Sequence, residues 1–248
     1  LLAELETLVP NDAFIPAARG LIALRANDIS TATTLLADAA ARAPNTPAIS
    51  LLQAESATLG GNPAGAQAIL HAAAVAHPDN IRLRWALCEV LRRSPTPENR
   101  DTLIAQLQAI VETTPRNLAA RLALTRELLG DERLAEAREH VKWIEASGVA
   151  PDEQARSLIA GVFGAISSGE ARLARSQAIA LDNVLKPTRT RQQSWIDLSG
   201  FPWPQGEPLR TLTSIDIPAS QPISPPQVQW HDSTETLGEH SALLAMLL

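Results

Sequence analysis

The chain has 248 residues, a formal net charge of -6 and a single cysteine, and only 3% of its residues are aromatic. The acidic balance argues against a general nucleic-acid binder. Cys88 alone cannot form an internal disulfide, and no run of about 18 apolar residues is present that could span a membrane. Abundant Ala and Leu with few aromatic residues favour closely packed helices over a β-sandwich or barrel.

The first residues already have the pattern of an amphipathic helix. Leu1, Leu2 and Leu5 are apolar and are separated by polar glutamates. The stretch ends at Pro10, and proline cannot continue a helix. We therefore expect residues 1–10 to be the last turns of a helix.

Prolines then recur along the chain at nearly constant spacing. Pro10, Pro44 and Pro78 are 34 residues apart, and Pro115 and Pro151 follow at 37 and 36. Each one ends an apolar-periodic stretch and precedes a polar residue that can cap the next helix. Each interval therefore predicts two helices joined by a turn.

Small residues occupy matching places within these intervals. Ala32, Ala66 and Ala137 would let two antiparallel helices approach closely. The expected turns between paired helices are Asn27-Asp28, Gly61-Asn62 and Gly130-Asp131. The third interval also carries an insertion in its turn, residues 94–99 (SPTPEN), which accounts for its greater length.

This spacing resembles the tetratricopeptide repeat (TPR), whose 34-residue unit has small residues at the helix crossings and a closing proline. The resemblance implies an all-α, right-handed superhelix of antiparallel helix pairs. Residues 1–10 would be a half repeat, and because each repeat buries its face only against neighbours, we expect a fragment of a longer array. The implied full repeats span about 13–44, 47–78, 81–115, 116–151 and 152–186.

Helical periodicity gives way to a proline-rich sequence after Lys186. We expect residues 187–248 to form an extended tail or linker with short strand-like segments. Arrays of this kind followed by such a tail also resemble bacterial proteins in which TPR repeats precede FG-GAP-type propeller repeats. The diagnostic loops of that class would lie beyond Leu248.

The TPR resemblance implies that the first helix of each pair lines a concave groove that binds peptides. On this register Trp85 faces the groove beside arginines, a frequent pairing at binding hot spots; the alternative is that Trp85 packs between helices. The arginines would favour an acidic or C-terminal segment. The candidate groove residues are Arg25, Glu55, Arg82, Trp85, Glu89, Arg92, Asn117 and Arg121.

The function indicated is a non-catalytic scaffold that binds a protein or peptide segment. No phosphate loop, HExxH motif or nucleophile elbow occurs in the sequence, so we expect no enzyme activity, no metal site and no cofactor. The alternative is an accessory TPR module of a larger protein: surface-attached, periplasmic, propeller-containing or enzymatic. The compartment and the oligomeric state stay open.

Overall fold

The computed structural model describes residue 9, residues 11–150 and residues 152–199, which belong to one unit ending at Ser199. The described part is all-helical. The expected half repeat at 1–10, apart from residue 9, and the tail from residue 200 onward lie outside the described residues. The helices are α1 (Phe14–Arg25), α2 (Ile29–Arg42), α3 (Pro47–Leu59), α4 (Pro63–Ala76), α5 (Ile81–Arg93), α6 (Pro97–Thr113), α7 (Leu118–Gly130), α8 (Leu134–Ala146), α9 (Glu153–Ser167), α10 (Ala171–Leu185) and α11 (Arg189–Ser199).

Most helices begin at a polar side chain that caps the first turn. The side chains of Asp28, Asn62 and Asp152 each accept a hydrogen bond from the backbone N–H three residues later. Prolines occupy the first turn of α3, α4 and α6, where a missing N–H costs nothing. The polar residues between the apolar stretches therefore set where the helices start.

The turns within pairs use left-handed backbone at matching places. Asn27 and Gly61 have φ of 58° and 75° and precede the capping residues of α2 and α4. In the fourth pair the left-handed residue is Glu132, with φ of 58°, whereas Gly130 is still the last residue of α7. The turn expected at Gly130-Asp131 therefore lies slightly further along the chain.

The helices stack as successive antiparallel pairs, each packing on the next. α2 contacts α3, α4 contacts α5 and α6 contacts α7, while the first helices α1 and α3, and α3 and α5, also touch. Second helices such as α4 bury small and large apolar residues together; in α4 these are Ala66, Leu70 and Ala73, all at most 4% exposed. The second helix α6 buries large residues alone, among them Ile104 and Leu107. The predicted helical solenoid is confirmed.

The last pair and the helix after it depart from this regular stacking. α9 packs on α8 as expected, but α10 packs on α7, and α11 then packs on both α5 and α7. The expectation that the extended tail starts at residue 187 is wrong, because α11 continues the helical structure to Ser199. An additional helix therefore lies against the first helices of the third and fourth pairs.

Candidate binding face of the first helices

We call the surface that α1, α3, α5 and α7 share the first-helix face. On α5 it carries Arg82, Trp85, Glu89 and Arg92, whose spacings of three, four and three residues place them along one side of the helix. Glu55 on α3 holds the place of Glu89 one repeat earlier, whereas Arg25 on α1 holds the place of Arg93, the neighbour of Arg92, two repeats earlier. Arg25 is exposed, whereas Glu55, Arg82, Glu89 and Arg92 are half-buried.

Trp85 is buried, with only 8% of its surface exposed. The Arg92 guanidinium lies over its ring, 5.2 Å from the centroid. The structure therefore favours the second of the two alternatives for Trp85, packing among the helices, over an exposed side chain.

Arg92 also joins α5 to α7 through ion pairs. Its Nε donates to Oε1 of Glu127 at 3.3 Å, and its Nη1 donates to Oε1 of Glu89. Arg126 donates to the same Glu127 oxygen at 2.9 Å. Sequence reasoning missed Arg126 and Glu127, although Arg126 stands 37 residues after Glu89, the length of the third interval.

Asn117 is not available on this face because it caps α7. Its side-chain oxygen accepts the N–H of Ala120 at 2.9 Å, and its Nδ2 donates to the Ser194 carbonyl at 2.8 Å. Only 5% of its surface is exposed.

Arg121 points towards α8 rather than along the first-helix face. Its Nε donates to the Pro115 carbonyl at 2.8 Å, its Nη1 lies 3.2 Å from Nδ1 of His140, and its guanidinium stacks on Trp143 at 4.2 Å. Burial lowers the pKa of Arg121. Burial, and then the nearby charge of Arg121, lowers the pKa of His140.

The place of Arg121 follows from the insertion in the third interval. Arg84 on α5 makes the same bond, from Nε to the Pro78 carbonyl at 2.8 Å, and stands 37 residues earlier. Arg121 is therefore the counterpart of Arg84, and Leu122 is the counterpart of Trp85. Assigning Arg121 to the same face as Trp85 is wrong for this reason.

The α5–α7 part of the face is covered by α11. The Ser194 hydroxyl accepts the N–H of Leu118 at 3.1 Å, and Leu198, one turn further on, is fully buried. Arg191 pairs with Asp182 of α10 at 2.7 Å, which fixes the start of the helix. The first-helix face is thus covered at α5 and α7.

The α1–α3 part of the same face exposes large apolar side chains. Phe14 is 40% exposed and Leu59 is 43% exposed. Leu59 lies one helical turn beyond Glu55, and it is the counterpart of Arg25 one repeat on. We call Phe14, Arg25, Glu55 and Leu59 the open patch.

Neither a metal site nor a membrane span emerges from the described residues. No group of three or more His, Cys, Asp or Glu side chains within 11–150 and 152–199 is arranged to hold a metal ion. Of the helices described, none is both long and apolar enough to cross a bilayer.

Two solved structures share this fold. One is YrrB, a TPR protein with an unusual peptide-binding site; it superposes with a TM-score of 0.54 at 16% identity over 78% of this chain and 95% of that one. The other is PilF of Pseudomonas aeruginosa, with a TM-score of 0.52 at 15% identity over 79% of this chain and 86% of that one. No protein-family model and no curated protein matches the sequence.

At these identities the similarity establishes the fold, a TPR-like helical solenoid. The resemblance inferred from the proline spacing is confirmed at that level. Nothing in these comparisons supports the FG-GAP propeller resemblance.

Proposed function

We propose that this protein is a non-catalytic scaffold that binds a segment of a partner protein on the open patch. The observation that carries the proposal is the exposure of Phe14 and Leu59, 40% and 43%, on the first-helix face. Phe14 lies in the first turn of α1 and Leu59 in the last turn of α3, so they would contact different parts of one bound segment. Exposed large apolar side chains are typical of interaction sites. YrrB, with the same fold, is a TPR protein with a peptide-binding site.

The charges of the open patch define the kind of segment. Arg25 belongs to α1 and Arg82 to the start of α5, and Glu55 lies on α3 between these two helices in the stack. An apolar segment that carries an acidic group would bury Phe14 and Leu59 and meet the arginines. The proposal depends on the exposed apolar side chains and not on the other predicted groove residues, which are Trp85, Glu89, Arg92, Asn117 and Arg121.

A random peptide library selected against the immobilised protein tests this proposal. Peptides so obtained should bind the Leu59→Ser and Phe14→Ser variants about fivefold more weakly or worse, since loss of an anchoring side chain costs more than about 1 kcal/mol. The matched control is Val75→Ser, which changes a 69% exposed apolar residue on the second helix α4.

Two outcomes of the titrations would contradict the proposal. One is a set of selected peptides whose affinity is unchanged by both open-patch variants. The other is a loss of affinity caused by Val75→Ser, which would move the binding surface to the second helices.

The same geometry is compatible with the alternative of an accessory module in a larger protein, including one with propeller repeats or an enzymatic domain. In that case the bound segment would belong to the same polypeptide. Sequencing the gene on both sides of the coding region separates the two cases.

A further inference from the structure

Four arginines from four helices line one cavity of about 280 Å³. They are Arg92 on α5, Arg100 on α6, Arg126 on α7 and Arg175 on α10. Glu127 and Gly130 at the end of α7 also line it, and the apolar side chains of Leu91, Pro95 and Leu103 form the rest of the wall. The cavity exists because α10 packs on α7, the departure from regular stacking that brings Arg175 over Gly130.

Several of the guanidinium donors in this cavity have no acceptor. Nη2 of Arg92 is shielded from water and makes no hydrogen bond. Arg175 forms no hydrogen bond or ion pair with any described residue, and Arg100 reaches Asp131 only at 3.9 Å. A buried donor without a partner costs free energy, and this applies to Nη2 of Arg92, whereas Arg100 and Arg175 are exposed to solvent. An acceptor that pairs with the Arg92 donor would therefore be stabilising.

The local charge also favours an anion. Three carboxylates are in ion-pair contact with Arg92, Arg100 and Arg126: Glu127, Glu89 and Asp131. One positive charge therefore remains uncompensated. The last turns of α5 and α7 also border the cavity and carry partial negative charge of about -0.5 each, so the attraction for an anion comes mainly from the guanidinium donors close to it.

We propose that this cavity binds a phosphate group. A phosphate monoester presents three strong acceptor oxygens and a charge of about -1.5 to -2. Three oxygens can accept hydrogen bonds from guanidinium groups on several helices, whereas a carboxylate has only two. Arginine forks pair with phosphate through parallel N–H···O bonds. Arg92, Arg100 and Arg175 supply the donors that are not already engaged.

The site is independent of the proposed segment binding. It lies at the C-terminal end of α7, whereas α11 contacts the N-terminal end of that helix and the open patch lies on earlier repeats. A phosphate titration requires no peptide, so its failure and that of the peptide selection are distinguishable.

Isothermal titration of the full chain with inorganic phosphate, at ionic strength held constant with sodium chloride, tests the proposal. We expect saturable binding that Arg175→Gln weakens at least tenfold. Arg175 is exposed and makes no hydrogen bond or ion pair with a described residue, so the substitution removes only its contact with Gly130. The control is Arg172→Gln, an equal loss of charge at an exposed position of the same helix outside the cavity; it should bind as wild type does.

The absence of saturable binding by wild type would overturn the proposal. Equal weakening by Arg172→Gln and Arg175→Gln would also overturn it, because the effect would then be one of overall charge. A second titration with N-acetyl-O-phosphoserine amide distinguishes the sources. Tighter binding than that of inorganic phosphate assigns a phosphorylated side chain, and weaker binding assigns the free ion.

Discussion

At the scale of single residues, the close approach of paired helices depends on side-chain size at the crossing. Gly20 in α1 lies against Leu36 in α2, and a Cβ built on Gly20 would be 2.7 Å from Cγ of Leu36. Leu36 is itself 1% exposed and cannot move outward freely. Gly20 lies within a helix and needs no left-handed backbone. Glycine is therefore required here because there is no room for a Cβ.

Gly20→Ala should lower the free energy of unfolding by about 1–3 kcal/mol, the usual cost of over-packing. The control is Gly164→Ala in α9, where nothing lies within 4 Å of the added Cβ. That change should be neutral or raise stability by up to about 1 kcal/mol, because alanine favours the helix. Urea unfolding of both variants measures the difference, and equal midpoints would contradict the assigned crossing.

Cys88 is an example of a small residue that is buried where two paired helices cross. It is fully buried, and desolvation raises the pKa of its thiol to about 12. The thiolate, the reactive form, is therefore scarce at neutral pH. This residue is a packing element, as expected for a lone cysteine on an apolar helical face.

At the scale of elements, α7 and α8 are joined by the cluster of Arg121, His140 and Trp143. The pKa of His140 is lowered because burial and the neighbouring guanidinium both disfavour the imidazolium. The unfolded chain, with a histidine pKa of about 6.5, takes up the proton first. The contribution of neutral His140 to the free energy of unfolding is therefore complete above about pH 6.5, and it is lost as the pH falls below that value.

We predict that His140→Gln reduces the fall in urea midpoint between pH 7.5 and pH 5.5. Glutamine stays neutral over this range and can still accept a hydrogen bond from Arg121. Comparing the pH dependence of the two proteins isolates this histidine. A variant with the same pH dependence as wild type would show that the cluster does not titrate as described.

Two elements show where the sequence could and could not be interpreted. The helix pairs follow from proline spacing and capping residues such as Asp28 and Asn62, because those signals are local. The face of α7 was misassigned because residues 94–99 shift the register, and only the bond shared by Arg84 and Arg121 reveals the shift. Helix α11 was not predicted because residues 187–248 were treated as one proline-rich segment. The helical spacing of Ser194 and Leu198 within that segment was therefore not considered.

At the scale of the whole described part, each helix pair mainly contacts its neighbours. Stability in such a stack is close to a sum of local terms. The covering of α5 and α7 by α11, and the cavity beside α10, depend on how distant segments fold back. No local sequence signal encodes these contacts, so the open patch and the arginine cavity could be recognised only from the structure.

The central claim is that the first-helix face is divided into a part covered by α11 and an open part. Amide hydrogen exchange of wild type and Leu198→Asp tests it most directly, since the charge cannot be buried where Leu198 lies. Exchange should rise in α5 and in the first turn of α7, where Leu118 loses its bond to Ser194, and should be unchanged in α1 and α2. Unchanged exchange in α5 and α7, or a uniform rise along the chain, would contradict the claim.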